Sequence, residues 1–162
     1  MVPPRHSTLC LPLKEDALLL AMKKRGFGKG RWNGMGGKPN EGETIETATV
    51  RELEEEIGIV TREENLEKCA VLDFFFDGKP EWDQRVHVFF TRKWTGEPAE
   101  SEEMRPQWFA FSEIPFASMW PDDSYWLPLV LKGNFVEASF NFNNKGDVIV
   151  KHEIKPPASQ TP

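Results

Sequence analysis

The segment from Gly37 to Ile59 holds a cluster of glutamates and one arginine at spacings that suit metal chemistry. Glu52, Glu55 and Glu56 are three and four positions apart, so a helix would place their carboxylates on one face. Bare carboxylates that lie so close repel one another, whereas hard divalent cations take several oxygen ligands. Arg51 lies one turn before Glu55 and can orient it. The spacing therefore predicts a divalent-cation site.

The charge of the chain is segregated around this segment. Residues 1–40 carry eight Lys and Arg against two acids, and residues 41–58 carry seven acids against Arg51. The stretch 25–42 is rich in glycine and has no apolar periodicity, which predicts an ordered loop. Its backbone can approach a phosphate closely and offer N–H groups. A basic segment that runs directly into an acidic one favours a metal-bound phosphate ligand.

The elements that must position these groups follow from hydrophobic spacing. One helix is predicted at 45–57, with Thr44 as its N-cap and Gly58 just after its end. A second helix at 119–132 is disturbed by its prolines. Strands are predicted at 7–13, 16–24, 66–76, 85–94, 107–111, 135–142 and 147–154. Pro12 removes a ladder donor, which favours an edge for the first strand.

These elements make a single α+β domain over residues 1–155, with a mixed sheet flanked by helices. The proline-rich residues 156–162 are predicted to be disordered.

Composition excludes several classes of protein. The chain has 162 residues and a net charge of -6, which argues against duplex nucleic acid or anionic membranes as partners. Its longest apolar runs are too short to span a bilayer, and no signal peptide is evident. Cys10 and Cys69 are expected to be buried thiols in a reducing compartment. We therefore expect a cytoplasmic monomer, with nuclear or mitochondrial pools left open.

The residues from Gly37 to Ile59 read Gly-x5-Glu-x7-Arg-Glu-Leu-x-Glu-Glu-x-Gly-Ile, and this pattern resembles the Nudix hydrolase signature without a missing member. The resemblance implies a Nudix α/β/α sandwich that uses Mg²⁺, with Mn²⁺ as a substitute, to hydrolyse a diphosphate linkage. Glu56 is the first choice for deprotonating water and Glu103 is its competitor, while Arg51 orients the glutamates. The implied metal ligands are the Gly36 carbonyl, Glu52, Glu55, Glu56 and Glu103.

Segments outside that box resemble one branch of the family. Residues 22–28, 31–34, 103–106 and 119–126 look like the oxidised-purine nucleoside triphosphatases of the MutT-homologue-1 type. The resemblance implies hydrolysis of 8-oxo-dGTP and 2-oxo-dATP to the monophosphate and pyrophosphate. The expected substrate-binding residues are Thr8, Lys23, Phe27, Asn33, Met35, Gly36, Gly37, Lys38, Phe74, Trp120, Pro121, Asp122 and Asp123.

The side-chain chemistry of Trp120, Asp122 and Asp123 supports a role for them in substrate binding. Trp120 offers a flat face on which a purine can stack. Asp122 and Asp123 can accept hydrogen bonds from a base edge when ionised, and can donate one when a carboxyl is protonated. Taken singly, however, a tryptophan also suits a core, and two aspartates after a helix start also suit capping.

Two other functions remain open at this stage. A Nudix enzyme could act on ADP-ribose, a dinucleoside polyphosphate or capped RNA, or the chain could be a non-catalytic nucleotide- or partner-binding domain. Met35 stands where the resemblance leads us to expect an aromatic residue, and the segment 79–85 is about one residue longer than expected. Both departures concern the ranking of substrates.

Overall fold

A computed structural model describes residues 3–156, which form two sheets and two α-helices. A mixed five-stranded sheet has the order β1-β5-β4-β7-β8, and an antiparallel three-stranded sheet has the order β3-β2-β6. The elements are β1 His6–Pro12, β2 Ala17–Lys23, β3 Trp32–Asn33, α1 Ile45–Ile57, β4 Leu66–Phe76, β5 Gln84–Thr91, β6 Met104–Ala110, α2 Asp123–Leu131, β7 Val136–Phe142 and β8 Ile149–Ile154.

Helix α1 begins and ends where its capping residues predict. The Thr44 side chain accepts a hydrogen bond from the Thr47 N–H, and Gly58 adopts the left-handed conformation with φ of 76°. Its N–H donates to the Glu54 carbonyl at 3.0 Å. These contacts satisfy backbone groups that a helix leaves unpaired at its two ends. The predicted bounds of this helix are confirmed.

The two helices lie on opposite faces of the five-stranded sheet, because successive residues of a strand point to opposite sides. Val88 of β5 points into a core that contains Trp126 and Leu127 of α2. Its neighbour Phe89 points into a second core that contains Leu53 of α1. The α+β class, with a mixed sheet and few helices, is confirmed.

The remaining sequence predictions have mixed outcomes. Strand β1 is an edge strand, as Pro12 suggests. Strand β3 lies inside the glycine-rich loop, and its two residues are too few to show a period. Strand β6 begins at Met104, three residues before the predicted start. Of the tail 156–162, only Pro156 lies within the described residues.

The second helix is shorter than predicted. It begins at Asp123 because Met119 is extended and Trp120 precedes Pro121, a position that disfavours helical geometry. Pro128 is accommodated inside the helix. Within residues 3–156, no helix is long and apolar enough to cross a membrane.

The packing of α1 makes a stability prediction. Leu53 is fully buried, whereas its neighbour Glu54 is exposed. Leu53→Ala should lower the free energy of unfolding by about 2–5 kcal/mol, since it leaves a cavity against both sheets. Glu54→Ala is the matched control and should change it by less than about 0.5 kcal/mol. Urea unfolding followed by circular dichroism measures both values, and equal losses would contradict this account of the core.

Candidate active site

The backbone at Gly36 and Gly37 lies between strand β1 and helix α1. The Thr8 N–H donates to the Gly37 carbonyl at 2.9 Å, which joins the loop to the strand. A Cβ at Gly36 would lie 1.7 Å from the Thr8 carbonyl oxygen, and a Cβ at Gly37 would lie 2.6 Å from Glu52 Oε1. Glycine is therefore required at Gly36, where the neighbour is backbone, whereas a side chain at Gly37 would displace the Glu52 carboxylate.

Glu56 is the most perturbed carboxyl on α1. The Gly36 N–H donates to its Oε1 at 3.2 Å, while its Oε2 is buried and has no hydrogen-bond partner among residues 3–156. Burial and the neighbouring Glu52 carboxyl raise the pKa of Glu56 to about 9, although Lys23 opposes this shift. The buried Oε2 of Glu56 and the neighbouring Glu52 carboxyl together fit a hard cation, because such ions prefer oxygen ligands.

Arg51 connects the glutamates of the motif. Its Nε and Nη2 each donate to one carboxylate oxygen of Glu43 at 2.9 Å. Its Nη1 donates to Glu52 at 2.9 Å and to Glu55 at 3.0 Å, and Nη2 also reaches the Lys38 carbonyl. The two-pronged contact with Glu43 holds the guanidinium plane, so that Arg51 can orient both other carboxylates.

The five expected metal ligands are only partly assembled. Glu52, Glu56 and Gly36 meet beside Lys23, but Glu55 binds Arg51 and its side chain is 57% exposed. Glu103 receives hydrogen bonds from Arg25 at 3.0 and 3.2 Å. Across residues 3–156, no three His, Cys, Asp or Glu side chains converge as a metal-binding group. Glu55 shares the Arg51 Nη1 with Glu52, whereas Glu103 is held by Arg25 on a different segment.

A cleft of about 510 Å³, here called the base cleft, opens beside this cluster. Met35 and Pro121 do not line it. Met35 is fully buried in the core beneath α1, because its backbone bridges to Cys10 of β1. The expected substrate-binding residues that line the cleft are Thr8, Lys23, Phe27, Asn33, Gly36, Gly37, Lys38, Phe74, Trp120, Asp122 and Asp123.

Asp122 and Asp123 form a buried acidic pair at the wall of the base cleft. Each is 3% exposed, and Asp122 Oδ2 accepts a hydrogen bond from the Trp126 indole at 2.8 Å. Asp123 Oδ2 has no partner among the described residues. Burial raises the pKa of Asp122 to about 6, and burial together with the charge of Asp122 raises the pKa of Asp123 well above its ordinary value. Both shifts favour the protonated form of these carboxyls over the charged form.

Helix capping does not account for these aspartates. Asp122 stands at the N-cap position of α2, yet its side chain makes no capping hydrogen bond. Its carboxylate instead receives the Trp126 indole N–H. The geometry thus favours a role in the cleft over the capping role that the sequence left open.

Aromatic rings surround the mouth of the base cleft. The Phe27 ring lies 5.1 Å from both Trp82 and Trp120, measured between centroids, and is 54% exposed. The Arg31 guanidinium lies 4.1 Å from the Trp120 ring centroid. The negative face of the indole ring attracts the guanidinium, and this attraction stabilises the contact between Arg31 and Trp120.

Several of the cleft residues were not predicted as site residues from the sequence. Arg31 falls in a segment of family resemblance, and Trp82 falls in the longer segment 79–85. The signals available for these two residues were the family resemblance of residues 31–34 and the extra length of the segment 79–85.

The comparison with known proteins decides the family. A model of the NUDIX domain matches residues 3–130. The chain belongs to the Nudix hydrolase family. Nudix hydrolases generally use divalent metals, which agrees with the paired carboxylates of Glu52 and Glu56.

Two Nudix relatives are similar over nearly their whole lengths. A mouse oxidized purine nucleoside triphosphate hydrolase is 48% identical over 155 residues, covering 96% of this chain and 97% of its own length. A zebrafish protein of the same name is 48% identical over 147 residues, covering 91% and 92%. The resemblance inferred from the sequence is confirmed.

Solved Nudix structures share the fold. A MutT protein from Bacillus halodurans matches with a TM-score of 0.81 at 25% identity, covering 94% of this chain and 98% of its own. A bifunctional NMN adenylyltransferase/ADP ribose pyrophosphatase from Francisella tularensis, complexed with AMP and a Mn ion, matches with a TM-score of 0.61 at 23% identity. That match covers 82% of this chain and 42% of the bifunctional protein.

Alanine substitutions at the two loop glycines should differ in how much they lower the free energy of unfolding. Gly36→Ala places a methyl group against backbone that cannot move aside, and should lower the free energy of unfolding by about 2 kcal/mol or more. Gly37→Ala meets only the Glu52 carboxylate, which can rotate away, and should lose less than about 1 kcal/mol. Thermal unfolding of both variants measures the difference. A larger loss for Gly37→Ala would contradict the loop packing.

The buried aspartates predict a pH dependence of stability. Both pKa values are higher in the folded protein than in the unfolded chain, so unfolding releases protons and the free energy of unfolding falls as pH rises above about 4. Asp123→Asn removes one of these groups. Between pH 5 and 8 the free energy of unfolding of the wild type should fall more steeply with rising pH than that of this variant.

Urea unfolding at the two pH values tests this expectation. Asp77→Asn is the control, because Asp77 is exposed and its side chain makes no ion pair among the described residues. It should preserve the slope of the wild type. A slope for Asp123→Asn as steep as that of the wild type would show that Asp123 does not titrate in this range.

Proposed function

We propose that this chain hydrolyses oxidised purine nucleoside triphosphates, such as 8-oxo-dGTP and 2-oxo-dATP, to the monophosphate and pyrophosphate. The observation that carries the proposal is the buried Asp122–Asp123 pair in a cleft that also reaches Lys23 and the Gly36–Gly37 loop. The names of the mouse and zebrafish relatives support this substrate class. The reaction would remove damaged nucleotides from the pool used for DNA synthesis.

The acidic pair is suited to reading a purine edge. Burial and the charge of the neighbouring Asp122 favour the protonated form of Asp123, while the Trp126 indole donates a hydrogen bond to Asp122. The pair therefore presents one hydrogen-bond donor and several acceptor sites to the cleft. A buried donor and acceptor left unpaired by the wrong base would cost about 1–3 kcal/mol each, which provides discrimination. Trp120 supplies the stacking face.

At the phosphate end, Glu52, Glu56 and the Gly36 carbonyl would hold Mg²⁺, and Mn²⁺ is an acceptable substitute with the same oxygen ligands. When bound, this ion neutralises phosphate charge and lowers the pKa of water. Because a nearby cation would favour the charged form of Glu56, we assign that carboxylate to accept the proton of the attacking water. Lys23 meets the phosphates, and Arg51 orients Glu52 and Glu55. Glu103 and Glu55 are proposed as further ligands.

The proposal also covers the compartment, the oligomeric state and the partners of the chain. Cys10 and Cys69 are buried free thiols, and burial raises the pKa of Cys69 to about 12, so neither is poised for oxidation. Such thiols fit the reducing cytoplasm, with nuclear and mitochondrial pools as further locations. We propose a monomer that takes free nucleotides and neither duplex nucleic acid nor membranes, in line with its net charge of -6.

A substrate panel with two matched variants tests the function. Wild-type protein with Mg²⁺ should consume 8-oxo-dGTP and 2-oxo-dATP faster than dGTP, dATP, ADP-ribose, a dinucleoside polyphosphate or capped RNA, and should release pyrophosphate. Glu56→Gln should lower kcat at least about a hundredfold, as expected for loss of a general base. Glu54→Gln, an exposed glutamate on the same helix, should retain the wild-type rate.

Two results would contradict the proposal. Near-normal turnover by Glu56→Gln would remove the role assigned to that carboxyl. Faster consumption of ADP-ribose or capped RNA would replace the substrate class, and no consumption of any nucleotide would favour a non-catalytic binding domain.

A further inference from the structure

Two histidine side chains, His6 at the start of β1 and His87 in β5, meet edge to edge. His6 Nδ1 lies 2.9 Å from His87 Nε2. The ring centroids are 5.2 Å apart, and the ring planes differ by 17°. Nitrogens this close allow such a centroid separation only when both lie nearly on the line that joins the two centroids. The contact is therefore an in-plane N–H···N hydrogen bond and not a stack of two ring faces.

The surroundings of His87 determine which ring donates this hydrogen bond. His87 is 9% exposed, and its Nδ1 is buried with no hydrogen-bond partner among residues 3–156. If His6 donated, both neutral rings would carry their hydrogen on Nδ1, and that of His87 would be a buried donor without an acceptor. His87 Nε2–H therefore donates to His6 Nδ1, and both rings carry their hydrogen on Nε2.

The environment of His87 opposes a positive charge on its ring. Burial is the largest cause of a pKa of about 4 for this histidine. The charged and titratable groups that act on the ring are Lys68 and Asp73 of β4, Arg85 of β5 and His6 of β1, and none of them belongs to α1. All of these groups except Asp73 lower the pKa, and Asp73 is itself held by Arg85 through hydrogen bonds of 2.7 and 2.9 Å.

A proton added to this pair has no favourable position. On His6 Nδ1 it removes the acceptor, so that two N–H groups face each other. The hydrogen bond could form again only if the hydrogen of His87 moved to Nδ1, where it has no partner among the described residues. On His87 the proton places a charge in a buried ring near Lys68 and Arg85. Acid therefore breaks the contact, whichever ring takes the proton.

Further contacts join the same two segments of the chain, the start of β1 and residues 81–85. The Arg85 N–H donates to the Arg5 carbonyl at 2.8 Å, and Ser7 Oγ donates to Gln84 Oε1 at 2.7 Å. The Arg5 guanidinium donates to the Glu81 carbonyl. Four of these residues, Arg5, Ser7, Glu81 and Gln84, line the base cleft. The start of β1 and residues 81–85 thus form one rim of the base cleft.

The histidine pair lies directly behind this rim. His6 and His87 each adjoin a residue that lines the cleft, Ser7 on β1 and Val86 on β5. Because successive residues of a strand point to opposite faces, the two imidazoles lie on the other face of the sheet. A hydrogen bond between them holds the two strands together where the strands border the cleft.

From this arrangement we propose that the His6–His87 pair is a pH-sensitive latch, which holds the start of β1 against residues 81–87 while both rings are neutral and releases it on acidification. Release loosens one rim of the base cleft. The latch acts within the folded chain and does not depend on the proposed hydrolysis.

Amide hydrogen exchange of the ¹⁵N-labelled protein, followed by nuclear magnetic resonance with EDTA present, tests the latch. The reporter is the Arg85 N–H, which donates to the Arg5 carbonyl. After correction for the intrinsic exchange rate, its protection should fall at least tenfold between about pH 7 and about pH 4.5, a range that spans the ordinary histidine pKa. The control is the Leu13 N–H, which donates to the Thr91 carbonyl at the other end of the same two strands. Its protection should change less than twofold.

Matched variants separate the histidine pair from other effects of acid. His6→Asn together with His87→Gln keeps an acceptor and a donor near the two ring nitrogens but no titratable ring. This double variant should keep the protection of the Arg85 amide at neutral pH and lose less than twofold in acid. His6→Asn alone should also reduce the acid loss, and it serves if the double variant does not fold. His152→Gln replaces an exposed histidine of β8 and should retain the pH dependence of the wild type.

Long-range ¹H–¹⁵N spectra of the imidazole rings locate the hydrogens directly, and near neutral pH both rings should carry hydrogen on Nε2. Three results would overturn the proposal: a hydrogen on His87 Nδ1, equal acid losses at the Arg85 and Leu13 amides or no loss at either, and an acid loss that persists in both His6 variants. Failure of the wild type to hydrolyse any nucleotide would contradict the proposed function and leave the exchange result intact.

Discussion

The close approach of the Gly36–Gly37 backbone to β1 and α1 is the constraint on which the site depends. No side chain fits between Gly36 and the Thr8 carbonyl, or between Gly37 and the Glu52 carboxylate, without displacing one of them. This contact brings the N-terminal strand, the loop and the acidic helix face together. It therefore joins two parts of the cleft: the loop that can meet phosphate and the carboxylates that can hold a cation.

The same electrostatic effects act on two pairs of acidic side chains to which we assign different roles. Glu52 with Glu56, and Asp122 with Asp123, are both pairs of close neighbours, and burial together with the adjacent carboxyl raises the pKa of Glu56 and of Asp123. The glutamates lie beside backbone oxygen and Lys23, so a cation can offset their charge. The aspartates have the Trp126 indole instead, which donates a hydrogen bond to Asp122. Environment alone separates the roles that we propose for the two pairs.

Charge distribution is more informative than total charge in this chain. The net charge of -6 conceals an excess of six positive charges in residues 1–40 and an excess of six negative charges in residues 41–58, which include the acidic face of α1. A count along the chain can find an acidic block on one helix, but it cannot find charged groups that distant segments bring together.

The sequence by itself determined the local features of this protein: the bounds of α1, the edge position of β1, the carboxylate spacing and the family. These follow from caps, from a proline and from residues a few positions apart, whose relation is set by helix geometry. Only the tertiary structure decided that Met35 is buried under α1, that Glu103 binds Arg25, and that Arg31 and Trp82 border the base cleft. Each of these depends on contacts between distant segments, and the packing of whole sheets, rather than any local pattern, determines which side chains meet.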